Sequence, residues 1–206
     1  EHTLDPSTGL FRHAWDESRS MFWADPETGQ SAHAWGRACG WYAMALVETL
    51  DWIPEKHPDR EGLVEQFRYL METVSRYADP ETGMWDQVLD SPGREGNYLE
   101  ATASAMFTYA ALKGVRMGYL DSAWRDRSRE LYRSLVDTFI EENPDGTISL
   151  SSCCSVAGLG GKQKRSGTYE YYLSEPVVDN DPKGVGPFIW ASLEYEAANN
   201  TDYVFD

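Results

Sequence analysis

Residues 97–117 read NYLEATASAMFTYAALKGVRM, and residues 122–141 read SAWRDRSRELYRSLVDTFIE. Both spacings predict helices, but of opposite kinds. The first is rich in alanine and aromatics and nearly free of charge, the composition of a helix buried on most sides. The second carries seven charged residues between Arg125 and Asp137, with Leu131, Leu135 and Phe139 at helical spacing as its apolar face. A helix buried all round beside one buried on a single face makes a hairpin with an inner and an outer member.

The alternation extends in both directions. An apolar helix is predicted over 35–50, with Trp41, Ala45 and Leu46 in its stripe. A charged one is predicted over 60–78, with Leu63, Phe67, Leu70, Met71 and Val74 on one face. A fifth, apolar again, is predicted over 185–199, and Pro187 suits its first turn. The outer helices run into similar turns. Asp79-Pro-Glu-Thr-Gly83-Met-Trp85 repeats Asp5-Pro-Ser-Thr-Gly9-Leu-Phe11 at a distance of 74 residues, and Asn143-Pro-Asp-Gly146-Thr follows 64 residues later. Asx-Pro closing on glycine is turn chemistry: the Asx side chain accepts from the turn and glycine takes φ > 0. A recurrence of about 70 residues suggests stacked supersecondary units. Five helices make two and a half hairpins, fewer than a closed ring of hairpins needs, and no outer helix precedes Asp5. The chain is therefore expected to begin within a domain, and the sides of 35–50 and 97–117 that would meet missing inner helices are expected to be bare. Bare apolar faces predict self-association or pairing with a missing N-terminal part.

Composition narrows the function. The 206 residues carry 34 acidic against 18 basic side chains, a formal charge of −16, which excludes a nucleic-acid groove. The longest apolar run, 41–47, is far short of the ~18 residues of a membrane span. Cys39, Cys153 and Cys154 form no CxxC pair, and no histidine cluster accompanies them, so free thiols in a reducing compartment are expected and no metal or cofactor is implied.

The densest polar and aromatic segments are HAWDE at 13–17 and SAHAWGRACGW at 31–41. Trp35, Arg37 and Trp41 fall in the first two turns of the first predicted helix. There, aromatic faces can stack on a sugar ring and arginine can offer a fork to a carboxylate. Equally, Trp35 and Trp41 can be core and Arg37 can pair with a nearby acid. His13 and His33 flank the segment. Asp16, Glu17, Asp86 and Glu100 are the carboxylates on the loop side of the inner helices. The loop 158–167, GLGGKQKRSG, lacks the ending of a phosphate loop; it is either a solvated loop or a cover bringing Lys162, Lys164 or Arg165 to an anionic substrate.

These segments, with GNYLEATASAMFTYAALKGVRMGYL at 96–120 and DPKGVGPFIWASLEYE at 181–196, resemble glycoside hydrolase family 105, the unsaturated rhamnogalacturonyl hydrolases. The resemblance implies an all-α (α/α)6 barrel, of which residues 1–206 would be the C-terminal portion. It also implies a cytoplasmic hydrolase acting on pectin-derived oligosaccharides that end in a C4–C5 unsaturated uronic acid. His13, Trp35, Arg37 and Trp41 would line the substrate pocket. The family's catalytic aspartate would lie upstream of Glu1, so no residue of this chain is assigned to catalysis. Two other readings stand beside it: a non-catalytic carbohydrate-binding or structural fragment, and another α/α-toroid sugar enzyme, an inverting glycosidase or an epimerase.

Overall fold

The charge-poor segment forms α3, Ala101–Arg116, in a computed structural model that describes residues 2–199. Glu100 starts it: its carboxylate accepts from the Ala103 N–H at 2.7 Å, satisfying one of the donors that a helix N-terminus leaves free. All residues from Ala101 to Gly114 are buried. Such a helix needs walls on every side, and α3 packs against α1 (Gly36–Trp52), α6 (Pro182–Asn199) and α4 (Trp124–Phe139). Small residues allow the approach. A Cβ on Gly40 would sit 2.9 Å from the Met106 sulfur, so glycine is what lets α1 close on α3 there.

The inner row is thus α1, α3 and α6, with α2 (Arg60–Ser75) against α1 and α4 against α3 in an outer layer. The outer helices bury the faces expected of them: Phe67, Leu70, Met71 and Val74 on α2, and Leu131, Leu135 and Phe139 on α4. Among the described residues the remainder is one six-residue helix, α5 (Tyr169–Ser174), and two antiparallel two-stranded sheets. β1 (Ile140–Glu142) pairs with β2 (Ile148–Leu150), and β3 (Cys153–Cys154) pairs with β4 (Val177–Val178).

Three expectations change. The fourth helix ends at Phe139, and the Asn143 turn closes the β1–β2 hairpin instead of ending a helix. The last helix begins at Pro182, which takes the first helical position, so Pro187 lies in the interior. Residues 97–117 are not bare either, because α3 is central in its row and both neighbours are present. The bare apolar faces belong to the ends of the row. On α1 they are Trp41, Ala45 and Trp52; on α6 they are Ile189, Trp190 and Leu193.

The recurring turn occurs a third time. Asp25-Pro-Glu-Thr-Gly29 is built like Asp5–Gly9 and Asp79–Gly83. In each the glycine N–H donates to the aspartate carbonyl, at 2.8, 2.8 and 2.7 Å for Gly9, Gly29 and Gly83. In each the threonine hydroxyl donates to the aspartate carboxylate, at 2.8, 3.0 and 2.9 Å. The glycines lie at φ +76°, +78° and +72°, where an L side chain is strained. Backbone donation from Thr28 and Thr82 holds the Asp25 and Asp79 carboxyls below their ordinary range.

Candidate functional site

The long loops preceding α1, α3 and α6 meet at the N-terminal end of the inner row. Leu89 N–H donates to the Ala34 carbonyl at 2.9 Å, and Ala101 N–H to that of Ser152 at 3.0 Å. Trp35 also forms a β-bridge with Val88, so the residue just before α1 is clamped to the loop just before α3.

His13 and Trp35 come together there. Their ring centroids are 4.7 Å apart, and Tyr172 of α5 closes the cluster, stacked 6.0 Å from Trp35. His13 Nδ1 lies 2.6 Å from the Tyr172 hydroxyl. The Trp35 indole N–H donates to Gln87 Oε1 at 3.1 Å, and the Gln87 amide in turn donates to Cys154 Sγ at 3.1 Å. Trp35 is 6% exposed among the described residues. Beside the cluster, His13 lines a cavity of about 190 Å3 with Phe11, Ala38, Cys39 and Tyr42.

Arg37 faces the other way. It is 1% exposed, and its Nη2 donates to Glu100 Oε1 at 3.0 Å, to Thr102 at 3.2 Å and to the Cys154 carbonyl. Its guanidinium carbon lies 5.6 Å from the Trp35 ring centroid, so the cation backs the indole. Its Nε is buried without a partner among the described residues. Trp41, one turn further along α1, is 45% exposed on the bare face. The structure therefore groups His13 with Trp35 and places Arg37 behind Trp35, while Trp41 stands apart on open surface.

The loop-side carboxylates separate by environment. Asp16 is committed to its own turn, accepting from Ser18, Ser20 and Met21. Glu100 is committed to Arg37 and the start of α3, and Glu17 is exposed. Asp86 is partly buried, and desolvation pushes its carboxyl above the ordinary range. Asp90 holds Arg12 at 2.6 Å and His33 Nδ1 at 3.2 Å. The loop 158–167 is tied by a bridge between Gly160 and Arg165 and leaves Lys162 and Lys164 exposed. Sequence reasoning missed Gln87, Asp90 and Tyr172. For Tyr172 a signal existed: Thr168 accepts from the Tyr171 N–H at 3.2 Å as an N-cap, a start that the letters TYEYY carry.

Burial also fixes the charge of His13. Desolvation lowers its pKa from 6.5 to about 4, so the folded chain binds fewer protons than the unfolded chain between those values. Stability from the neutral ring is complete above pH 6.5 and is lost as pH falls towards 4. A shift of one unit is worth about 1.4 kcal/mol, so urea unfolding at pH 5 should show about 2 kcal/mol less stability than at pH 7 from this group. His13→Gln should remove that part of the difference. An undiminished difference in the variant would assign the acid sensitivity to other groups.

The chain has relatives of known sequence and structure. The family model described as Glycosyl Hydrolase Family 88 matches residues 1–199. Protein Atu3128 of Agrobacterium fabrum (strain C58 / ATCC 33970) is 42% identical over 192 residues, covering 90% of this chain and 82% of that protein. Unsaturated rhamnogalacturonyl hydrolase YesR of Bacillus subtilis (strain 168) is 32% identical over 118 residues, 55% of this chain and 30% of that protein. The solved structure of a glycoside hydrolase from family 105 of C. acetobutylicum ATCC 824 superposes with a TM-score of 0.93 at 48% identity, covering 95% of this chain and 54% of that one. The chain thus spans about half the length of that solved relative.

Proposed function

The chain belongs to Glycosyl Hydrolase Family 88, and from that premise we propose that it is the C-terminal portion of an (α/α)6 barrel that hydrolyses unsaturated uronyl oligosaccharides. The substrate class is that of pectin and rhamnogalacturonan fragments ending in a C4–C5 enol ether. The reaction is hydration: a proton is delivered to C4, water adds at C5, and the hemiketal so formed opens with loss of the glycosidic bond. The aspartate that handles both protons belongs to the part of the barrel preceding this chain. The compartment is the cytoplasm, in keeping with three buried free thiols.

The observation that carries this reading is the His13–Trp35 pair at the end of the inner row where three helix N-termini converge. A flattened unsaturated ring presents an apolar face for the indole and oxygens for the imidazole. Trp41 stands on the bare face of α1, outside the His13–Trp35 group. Arg37 serves the pocket from behind, backing the Trp35 indole while its charge is balanced by Glu100. The bare faces of α1 and α6 are where the preceding half-ring would dock, and self-association is the expected behaviour of the chain without it.

Joined to that half, the protein is expected to abolish the ultraviolet absorbance of an unsaturated galacturonyl–rhamnose disaccharide. Trp35→Ala should then lower kcat/KM by about 100-fold, the size of effect that misplacing a substrate produces. Retained absorbance with bound sugar would instead identify a carbohydrate-binding fragment. Conversion of a saturated disaccharide with the double bond untouched would identify an epimerase.

A further inference from the structure

We propose that Tyr172 is a positioning residue that locks His13 in the Nε2–H tautomer, so that the imidazole serves the pocket as a hydrogen-bond donor and not as a base. The inference rests on the pocket reading for its functional meaning, and on geometry for its substance. The Tyr172 side chain is fully buried, and its hydroxyl has one partner among the described residues, His13 Nδ1 at 2.6 Å. A phenol can donate one hydrogen. If Nδ1 carried the proton, Tyr172 would accept, and its own hydrogen would be left in a dry interior with no acceptor. If Nδ1 is bare, the hydroxyl donates to it and both groups are satisfied. The same reasoning disfavours the imidazolium, which would also place an N–H against the phenol oxygen.

The remaining ring nitrogen is the free one. Nε2 has no protein partner among the described residues and is not among the buried unpartnered atoms. With Nδ1 occupied, Nε2 must carry the hydrogen, and it offers that hydrogen to an oxygen acceptor, a hydroxyl or a carboxylate of a sugar. The ring cannot tumble out of this arrangement, because Trp35 tilts against it at 4.7 Å and the His13 backbone N–H is held by the His33 carbonyl at 3.1 Å. Burial acts in the same direction: it favours neutral imidazole, and it raises the phenol's pKa and so keeps its hydrogen in place. Tyr172 itself is fixed by α5, where its N–H donates to the Thr168 carbonyl at 3.1 Å and its ring stacks on Trp35. The helix that sequence periodicity did not predict is thus the one that sets the role of the histidine.

The test is a two-bond proton–nitrogen correlation spectrum of the chain labelled with 15N-histidine, at neutral pH, with His13 assigned by loss of its signals in His13→Gln. The expected result is a bare Nδ1 and a protonated Nε2 in at least tenfold excess over the other tautomer. In Tyr172→Phe, which keeps the ring on Trp35 and removes only the hydroxyl, both tautomers should appear while His2, His33 and His57 keep their shifts. A protonated Nδ1 in the unmodified chain would overturn the proposal, whether or not the variant folds. So would a His13 pattern unchanged by Tyr172→Phe. None of this requires a substrate. Adding the unsaturated disaccharide to the protein joined to its preceding half then tests the pocket reading alone: a moved Nε2–H signal supports donation to the sugar, and an unmoved one sinks the pocket reading while the tautomer assignment stands.

Discussion

Glu100→Ala is expected to remove about 4–6 kcal/mol of stability, on the scale of the ~5–15 kcal/mol that holds a domain folded. Three donors converge on this one fully buried carboxylate: Arg37 Nη2 at 3.0 Å, the Cys154 N–H at 2.9 Å and the Ala103 N–H at 2.7 Å. Removing the anion leaves a guanidinium with 1% exposure and no counter-charge, a change that costs about 3–5 kcal/mol in buried pairs. Loss of the helix cap adds about 1 kcal/mol. With an m-value of about 2 kcal/mol per molar, the urea midpoint should fall by about 2–3 M or the transition should vanish. The double replacement Arg37→Met with Glu100→Gln should fall less than Glu100→Ala alone, because it removes the charge together with its partner. A loss below about 1 kcal/mol for Glu100→Ala would mean that Arg37 finds another anion or water, and that the node is not what joins α1, α3 and β3.

Trp85→Ala should follow closely, at about 3–5 kcal/mol. The side chain is wholly buried, its ring lies 4.9 Å from Phe107 of α3, and its indole N–H donates to the Val74 carbonyl at 2.7 Å. Truncation opens a cavity between the outer and inner layers and removes one donor from the Val74 carbonyl, which keeps the Tyr77 N–H at 3.0 Å. Trp85→Phe separates the two contributions. It refills most of the volume, so its cost should be about 1–2 kcal/mol, the share of the lost hydrogen bond and the imperfect fit. Equal losses in the two variants would show that the hydrogen bond, and not the filled volume, dominates.

Composition made the inner and outer helices legible because burial on all sides and burial on one side demand different residues. The charge-poor α3 and the amphipathic α4 needed no tertiary information to be told apart. The segments HAWDE and WGRACGW stood out as polar and aromatic clusters, the second at the start of α1. What pairs with what was not. Arg37 and Glu100 are 63 residues apart, and nothing local in either segment distinguishes a guanidinium that meets a sugar from one that meets a carboxylate beneath the sheet of loops. Gln87 and Tyr172 likewise act only through partners supplied by other loops. The bare faces were misplaced on α3 for a related reason: periodicity shows that a helix is apolar all round, but not where it stands in the row. The barrel is a different matter, since three inner helices show a row and its curvature belongs to the proposal. The third Asp-Pro-x-Thr-Gly turn was readable letter by letter, yet it lies inside the stretch whose aromatics draw attention to chemistry.

That third turn separates two kinds of information that sequences usually mix. The five residues from aspartate to glycine fold alike at all three places, with the same glycine N–H and threonine hydroxyl bonds to the aspartate and the same left-handed glycine. The two residues that follow differ: Leu10-Phe11 and Met84-Trp85 are buried in the core, whereas Gln30 and Ser31 line a cavity of about 520 Å3 beneath the 12–32 loop. The bend is therefore specified locally, whereas what it roofs is set by distant segments: Phe22, Trp23, Ser166 and Thr168 line the same cavity. One module can cap a packed interior or border an open chamber, because its own bonds do not depend on what lies beyond it.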